Sequence, residues 1–162
     1  MRILIPMNAP ARVAVAYVRV STARQVEEGA SLDAQEARIR SWAAGQGIEV
    51  ASVHVDAGLS GGRADNRPGL QAALVDVCKR RGVLVVYSLS RMARSTKDAL
   101  EIAEKLRKAG ANLASLTEQI DTTSAAGEVI FTVFAAFAQF ERRLISERTR
   151  TSMDHLRRQG RK

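Results

Sequence analysis

Along VAVAYVRV (13–20) and VLVVY (83–87) apolar side chains occupy both parities, with Arg19 the one charged residue. Strands that are apolar on both faces must be covered on both faces, as in the centre of a parallel sheet. Elsewhere the apolar spacing lengthens to helical turns, with Leu32, Gln35, Ile39 and Trp42 on one stripe and Leu100, Ala103 and Leu106–Arg107 on another. Ser31 is the expected N-cap of a helix through about Ala44, ended by Gly45 and Gly47. A second helix is opened by Pro68 and closed by Gly82, and a third runs from Ser95 to Ala109. Strands at Ile48–Val55 and Asn112–Leu116 complete the alternation. The predicted fold class is α/β: a mostly parallel four- to five-stranded sheet flanked by helices, with a long C-terminal helix.

In such sheets ligands bind beyond the carboxyl ends of the strands. Arg19–Ser21, Asp56 and Ser90–Arg94 all fall at such ends and are expected to converge on one edge. AGLSGGRADN (57–66) has the Gly, Ser, Asp and Asn content of a loop. From Gly127 to about Gln159 neither Gly nor Pro breaks a helical pattern, enough for a helix close to ~50 Å long. Its first half is apolar almost all round, so Phe131, Phe134, Phe137 and Phe140 are expected to meet a second copy of the chain. Burial of that helix wholly within its own chain is the alternative. The expected organisation is a disordered leader over 1–12, with Met7 a candidate start, a sheet domain over 13–126 and the long helix over 127–162.

Composition narrows the chemistry. The 162 residues include 25 Lys+Arg against 17 Asp+Glu, a formal charge of +8. No run approaches the ~18–20 apolar residues of a membrane span, so a membrane role is not expected. One cysteine, Cys78, and two distant histidines, His54 and His155, cannot build a disulfide framework or a structural zinc site. An intracellular, cytoplasmic setting fits. Residues 141–162 hold eight cationic side chains against three acidic ones, a net +5. Arg142, Arg143, Arg148, Arg150, Arg157, Arg158, Arg161 and Lys162 are therefore the expected phosphate contacts, unless they form only a solvated basic tail.

Ser21 follows the first strand by one residue and lacks a histidine in a promising motif to activate it, which argues against a Ser-His-Asp hydrolase. Arginines are what surround it in the motifs: Arg19, Arg91, Arg94, Arg142, Arg143 and Arg148. Their forked, permanently charged donors match phosphate oxygens and stabilise charge developing there. Arg19, ending a buried strand, needs an anionic partner.

YVRVSTARQ, SLDAQ, DAGLSG with NRPGL, YSLSRMARS and FAQFERRLISERT, in that order across about residues 13–155, resemble the catalytic domain of the serine site-specific recombinases, the resolvase/invertase family. The resemblance implies that Ser21 attacks a phosphodiester of double-stranded DNA to give a 5′-phosphoserine link, with strand exchange and rejoining and with neither metal nor nucleotide cofactor. It implies catalytic roles for Ser21, Arg19, Arg91 and Arg94. Supporting roles fall to Gln25, Gln35, Asp56, Arg67, Ser90, Glu141, Arg142, Glu147 and Arg148, and dimers would pair into tetramers through the long helix. A bacterial, phage or plasmid origin is implied too, with the protein working on DNA in the nucleoid.

Two departures stand out. Ser90 occupies a position where many resolvases carry an acid, so Asp56 or a water would have to serve if one is needed. VEEGA (26–30) lengthens the interval before SLDAQ, as in the large serine recombinases. The family's sequence-reading DNA-binding domain follows the long helix, and neither a helix-turn-helix nor a zinc-ribbon spacing occurs within these residues, so a catalytic domain without it is expected. A competing expectation is a non-catalytic oligomerisation module left from a truncated recombinase. A nucleotide-binding domain is disfavoured by the lack of GxGxxG after a strand and of GxxxxGK[ST].

Overall fold

The computed structural model describes residues 13–20, 31–57, 67–133, 136 and 140. The expected leader over 1–12 and the expected loop over 57–66, apart from Ala57, lie outside the described residues, as do residues 21–30 and 141–162. The elements are β1 (Val13–Val20), α1 (Leu32–Gln46), β2 (Glu49–Ala57), α2 (Pro68–Arg80), β3 (Val83–Val86), α3 (Leu89–Met92), α4 (Thr96–Lys108), β4 (Asn112–Ser115) and β5 (Ile120–Asp121). A further helix, α5, begins at 125 and is continuous through 133.

The sheet order is β2-β1-β3-β4-β5, with β1 to β4 parallel and β5 antiparallel to β4. β1 is interior, flanked by β2 and β3, as its two apolar faces require. One parity, Val15 and Tyr17 with Leu84, Val86 and Leu113, packs under α2 and α4. The other, Ala14, Ala16 and Val18 with Val83, Val85 and Ala114, packs under Ile39 and Ala43 of α1. Both clusters close around strand side chains that are apolar apart from the Tyr17 hydroxyl, which is the hydrophobic term that holds the layers.

Local signals act as expected at most ends. The Ser31 hydroxyl accepts from the Ala34 N–H, and Gly47 closes α1 in the left-handed conformation, whereas Gly45 lies inside the helix. At the end of α2 the left-handed residue is Arg81, not Gly82. Gly82 is needed for a different reason: a Cβ there would sit 2.7 Å from the Val13 carbonyl oxygen, where β1 and β3 start side by side. β2 runs on to Ala57, so Asp56 is within the strand and pairs with Arg19. α3 and β5, of four and two residues, were not expected as elements.

β2 is an edge strand, and α2 is tied to it by a polar cluster. Asp76 accepts from Ser52 Oγ at 2.5 Å and from Arg80 Nε at 2.6 Å, with His54 Nε2 at 3.2 Å. Foremost the Ser52 hydroxyl, then Arg80 and His54, hold the Asp76 carboxyl down to about 2, against an ordinary 3.8. A carboxyl whose value is lowered by folding stabilises the fold above its unfolded value and loses that contribution as pH falls toward the folded one. Thermal melts between pH 4 and 2 should therefore fall more steeply for the native protein than for Asp76→Asn; parallel curves over that window would refute the assignment.

Candidate active site

Three segments meet at the carboxyl end of the sheet because three strands end there. β1 over-runs β3: their ladder stops at Tyr17 opposite Val86, while β1 continues to Val20. At Arg19 the missing neighbour is replaced by a side chain from α1. The fully buried Gln35 accepts from the Arg19 N–H at 3.3 Å and donates its Nε2 to the Arg19 carbonyl at 3.0 Å. A buried amide pairing with both backbone groups of one residue leaves neither unsatisfied and fixes where the Arg19 side chain begins.

The Arg19 guanidinium then donates its Nε to the Arg91 carbonyl at 3.1 Å, joining positions 72 residues apart. The segment 88–94 is held from several sides. Arg67, just before α2, donates Nη1 to the Met92 carbonyl and Nη2 to Asp98 at 3.2 Å. Asp98 also accepts the Arg94 N–H at 3.0 Å. At the other end, the Glu118 carboxylate receives the Leu89 N–H at 3.2 and 3.3 Å and the Ser115 hydroxyl. Ser90, exposed, shares a 2.9 Å bond with the buried Ser88 hydroxyl.

Asp56 anchors the second segment. Its Oδ1 accepts the Gly69 N–H at 2.8 Å, and its Oδ2 accepts the Leu70 N–H at 3.0 Å and the Tyr17 hydroxyl at 2.9 Å. Carboxylate bonding to the first N–H groups of α2 caps a helix whose own flanking residue, Arg67, provides no side-chain cap. Burial, and next the bond to Asp56, pushes the Tyr17 phenol well above its ordinary value, so it remains a donor. Asp56→Ala would strand the buried Tyr17 hydroxyl and two helix donors, a loss of about 2 kcal/mol. Thermal unfolding should fall by roughly 4–8 °C, and a fall under about 2 °C would show that the anchor is not needed.

The structure thus brings Arg19, Asp56 and the 90–94 segment to one edge, as expected from the strand ends, and places Gln35 and Arg67, named as site residues only by the family resemblance, beside them. Ser21, Gln25, Glu141, Arg142, Arg143, Glu147, Arg148, Arg150, Arg157, Arg158, Arg161 and Lys162 lie outside the described residues, as do the side chains of Phe134 and Phe137. Phe131, expected at a subunit interface, instead packs partly buried against its own core of α2 and α4. A helix sends successive apolar residues to different faces, and Phe131 takes the inner one. Val129, Ile130, Val133 and Phe140 are exposed. Sequence reading missed Tyr17, Asp98 and Glu118; the Ser95-x-x-Asp98 spacing at the head of α4 was the available signal for one of them.

No helix among the described residues is long and apolar enough to cross a membrane. The DNA-invertase Hin of Salmonella typhimurium is 45% identical over 100 residues, covering 62% of this chain and 52% of that protein. The chain thus spans about half the length of Hin and of the phage P7 and P1 invertases that it also matches. Among solved structures, a resolvase family site-specific recombinase from Streptococcus pneumoniae aligns with a TM-score of 0.72 at 29% identity, over 90% of this chain and 99% of that one. The N-terminal catalytic domain of TP901-1 integrase aligns with a TM-score of 0.67 at 34% identity, over 81% of this chain and 97% of that one. The family model for the resolvase N-terminal domain matches residues 14–162. With the five-stranded α/β sheet and the arginine-lined edge, this coverage makes the chain a member of the resolvase N-terminal domain family.

Proposed function

We propose that this chain is the catalytic part of a serine site-specific recombinase, acting on double-stranded DNA through Ser21. The observation that carries the reading is the Arg19 Nε bond to the Arg91 carbonyl, which sets two arginine motifs together two residues from Ser21 in sequence. Ser21 Oγ attacks phosphorus, the bond to the 3′ oxygen breaks, and a 5′-phosphoserine ester replaces the phosphodiester. The serine proton is carried away and the departing 3′ oxygen receives one. Attack by a 3′ hydroxyl of an exchanged strand reverses these steps, so one ester is traded for another and no nucleotide is consumed.

Arg91 and Arg94 supply charge to the equatorial oxygens, where it accumulates in the transition state, and Arg19 adds its remaining donors. Asp56 already accepts three hydrogen bonds, which favours water over Asp56 as the proton carrier where Ser90 replaces an acid. Gln25, Arg142, Glu147 and Arg148 complete the site, and the basic residues from Arg142 to Lys162 grip phosphates. The exposed Val129, Ile130, Val133 and Phe140 suit packing against a second copy and pairing of dimers into tetramers. The reaction belongs to the bacterial cytoplasm, where such DNA is found.

The test is to incubate the protein with nicked duplexes tiled across the DNA flanking its gene, denature, and map any adduct by mass spectrometry. A phosphodiester-linked adduct on residue 21 supports the reading; adducts confined to other side chains, or none on any duplex, overturn it in favour of an oligomerisation module.

A further inference from the structure

The start of α4 departs from the usual arrangement of a capped helix. Ser95 is the N-cap, and its hydroxyl accepts the Asp98 N–H at 3.1 Å. In a reciprocal capping box the acidic residue at this position would return its carboxylate to the N–H of the cap residue itself. Asp98 reaches one residue further back. Its Oδ2 takes the Arg94 N–H at 3.0 Å and the Arg67 Nη2 at 3.2 Å. One oxygen therefore joins the residue that precedes α2 to the last arginine of the 88–94 segment.

The other nitrogen of Arg67 strengthens the same join. Its Nη1 bonds the Met92 carbonyl, so the guanidinium bridges both sides of the peptide run 92–94. The Arg67 side chain is 13% exposed and that of Asp98 34%. Arg67 is in turn fixed from behind, because Asp56 holds the first two N–H groups that follow Pro68. A continuous path runs from the end of β2 through Asp56, Arg67 and Asp98 to the backbone of Arg94.

We propose that Asp98 is a positioning residue for the proposed strand-cleavage reaction: it sets the Arg94 backbone by clamping it to Arg67. The inference rests on the recombinase reading above. Asp98 acts through these two partners and does not touch DNA. Loss of the clamp lets the Arg94 side chain start from a displaced backbone, and displacement of a charge-stabilising group by about 1 Å costs up to about 100-fold in rate. On the recombinase reading the basic residues from Arg142 to Lys162 set affinity, so the rate at saturating DNA should change and the affinity should not.

Asp98→Ala and Asp98→Asn separate positioning from charge. Asparagine keeps an oxygen that can accept the Arg94 N–H; alanine keeps nothing. On nicked duplex, Asp98→Ala should form the Ser21 adduct about 10- to 100-fold more slowly at saturating DNA with unchanged affinity, and Asp98→Asn should recover most of that loss. In amide exchange without DNA, the Arg94 N–H should lose protection in Asp98→Ala while the interior of α4 keeps its own. Three outcomes overturn the proposal: an unchanged rate in Asp98→Ala, an asparagine variant as slow as the alanine one, or loss of protection throughout α4. If the native protein forms no adduct on residue 21, the recombinase reading has failed instead, and the Arg94 exchange result still decides whether Asp98 is a clamp.

Discussion

Replacing Ser21 with alanine is expected to lower covalent protein–DNA adduct formation by at least about 10⁴-fold, the scale seen when a nucleophile is removed from an otherwise intact site. On the proposed chemistry, arginines at the site stabilise charge on phosphate oxygens but contribute no bond to phosphorus. Their contribution is therefore lost along with the attacking atom and cannot compensate for it. DNA binding should persist in Ser21→Ala with its full salt dependence, since that is set by cations meeting phosphates. An adduct that survives the change at a comparable rate would place the nucleophile elsewhere in the chain. Loss of adduct together with loss of binding would show that Ser21 serves the structure of the complex, not its chemistry.

Gly127→Ala is expected to have the largest effect on the fold. In an exposed helix the same change would add about 1 kcal/mol of stability, since alanine is the better helix former. Here the sign reverses. A Cβ on Gly127 would lie 1.8 Å from the Asp121 carbonyl oxygen and 2.5 Å from its carbon. Both are backbone atoms of β5, and the Ser124 hydroxyl already fixes the Gly127 N–H at 3.0 Å. Either β5 leaves β4 or α5 leaves the domain, taking Phe131 out of its contact with the core under α2 and α4. The cost is about 3 kcal/mol or more, the upper range for overpacking against atoms that cannot rotate away. Differential scanning calorimetry should show a drop of roughly 6–12 °C, and proteolysis should open the 121–127 region first. A melting temperature equal to that of the native protein would mean that α5 does not depend on this close approach.

The sequence made the core strands legible because their apolar residues occupy both parities, and a chain has few other ways to cover such a strand. It made Ser31 legible as a cap because one hydroxyl and one turn suffice. β5 and α3 were not legible: two and four residues are shorter than the periods that reveal strands and helices. The arginines of the site were visible in their motifs, and Arg19, Arg67, Arg91 and Arg94 do gather. What the sequence hid was how they are held. Tyr17 and Asp56 are 39 residues apart, Arg67 and Asp98 are 31, and Leu89 and Glu118 are 29. Such pairs have no local signature, because they follow from sheet order and register. Arg81 in the left-handed position at the end of α2 was hidden for the opposite reason, since the glycine beside it looked like the natural choice.

The unequal lengths of β1 and β3 cut a step into the rim of the sheet. β1 extends three residues past its last partner on β3, a rise of roughly 10 Å, with Gln35 forming the step's inner wall. That step is filled by the 88–94 segment, because α3 lies against β1 and the Arg19 Nε bond to the Arg91 carbonyl crosses it. The overhanging end of β1 is thus held by a helix side chain from α1 and by a backbone carbonyl of α3, in place of a neighbouring strand. A shift of either α1 or the 88–94 segment against the sheet would move Arg19 with it.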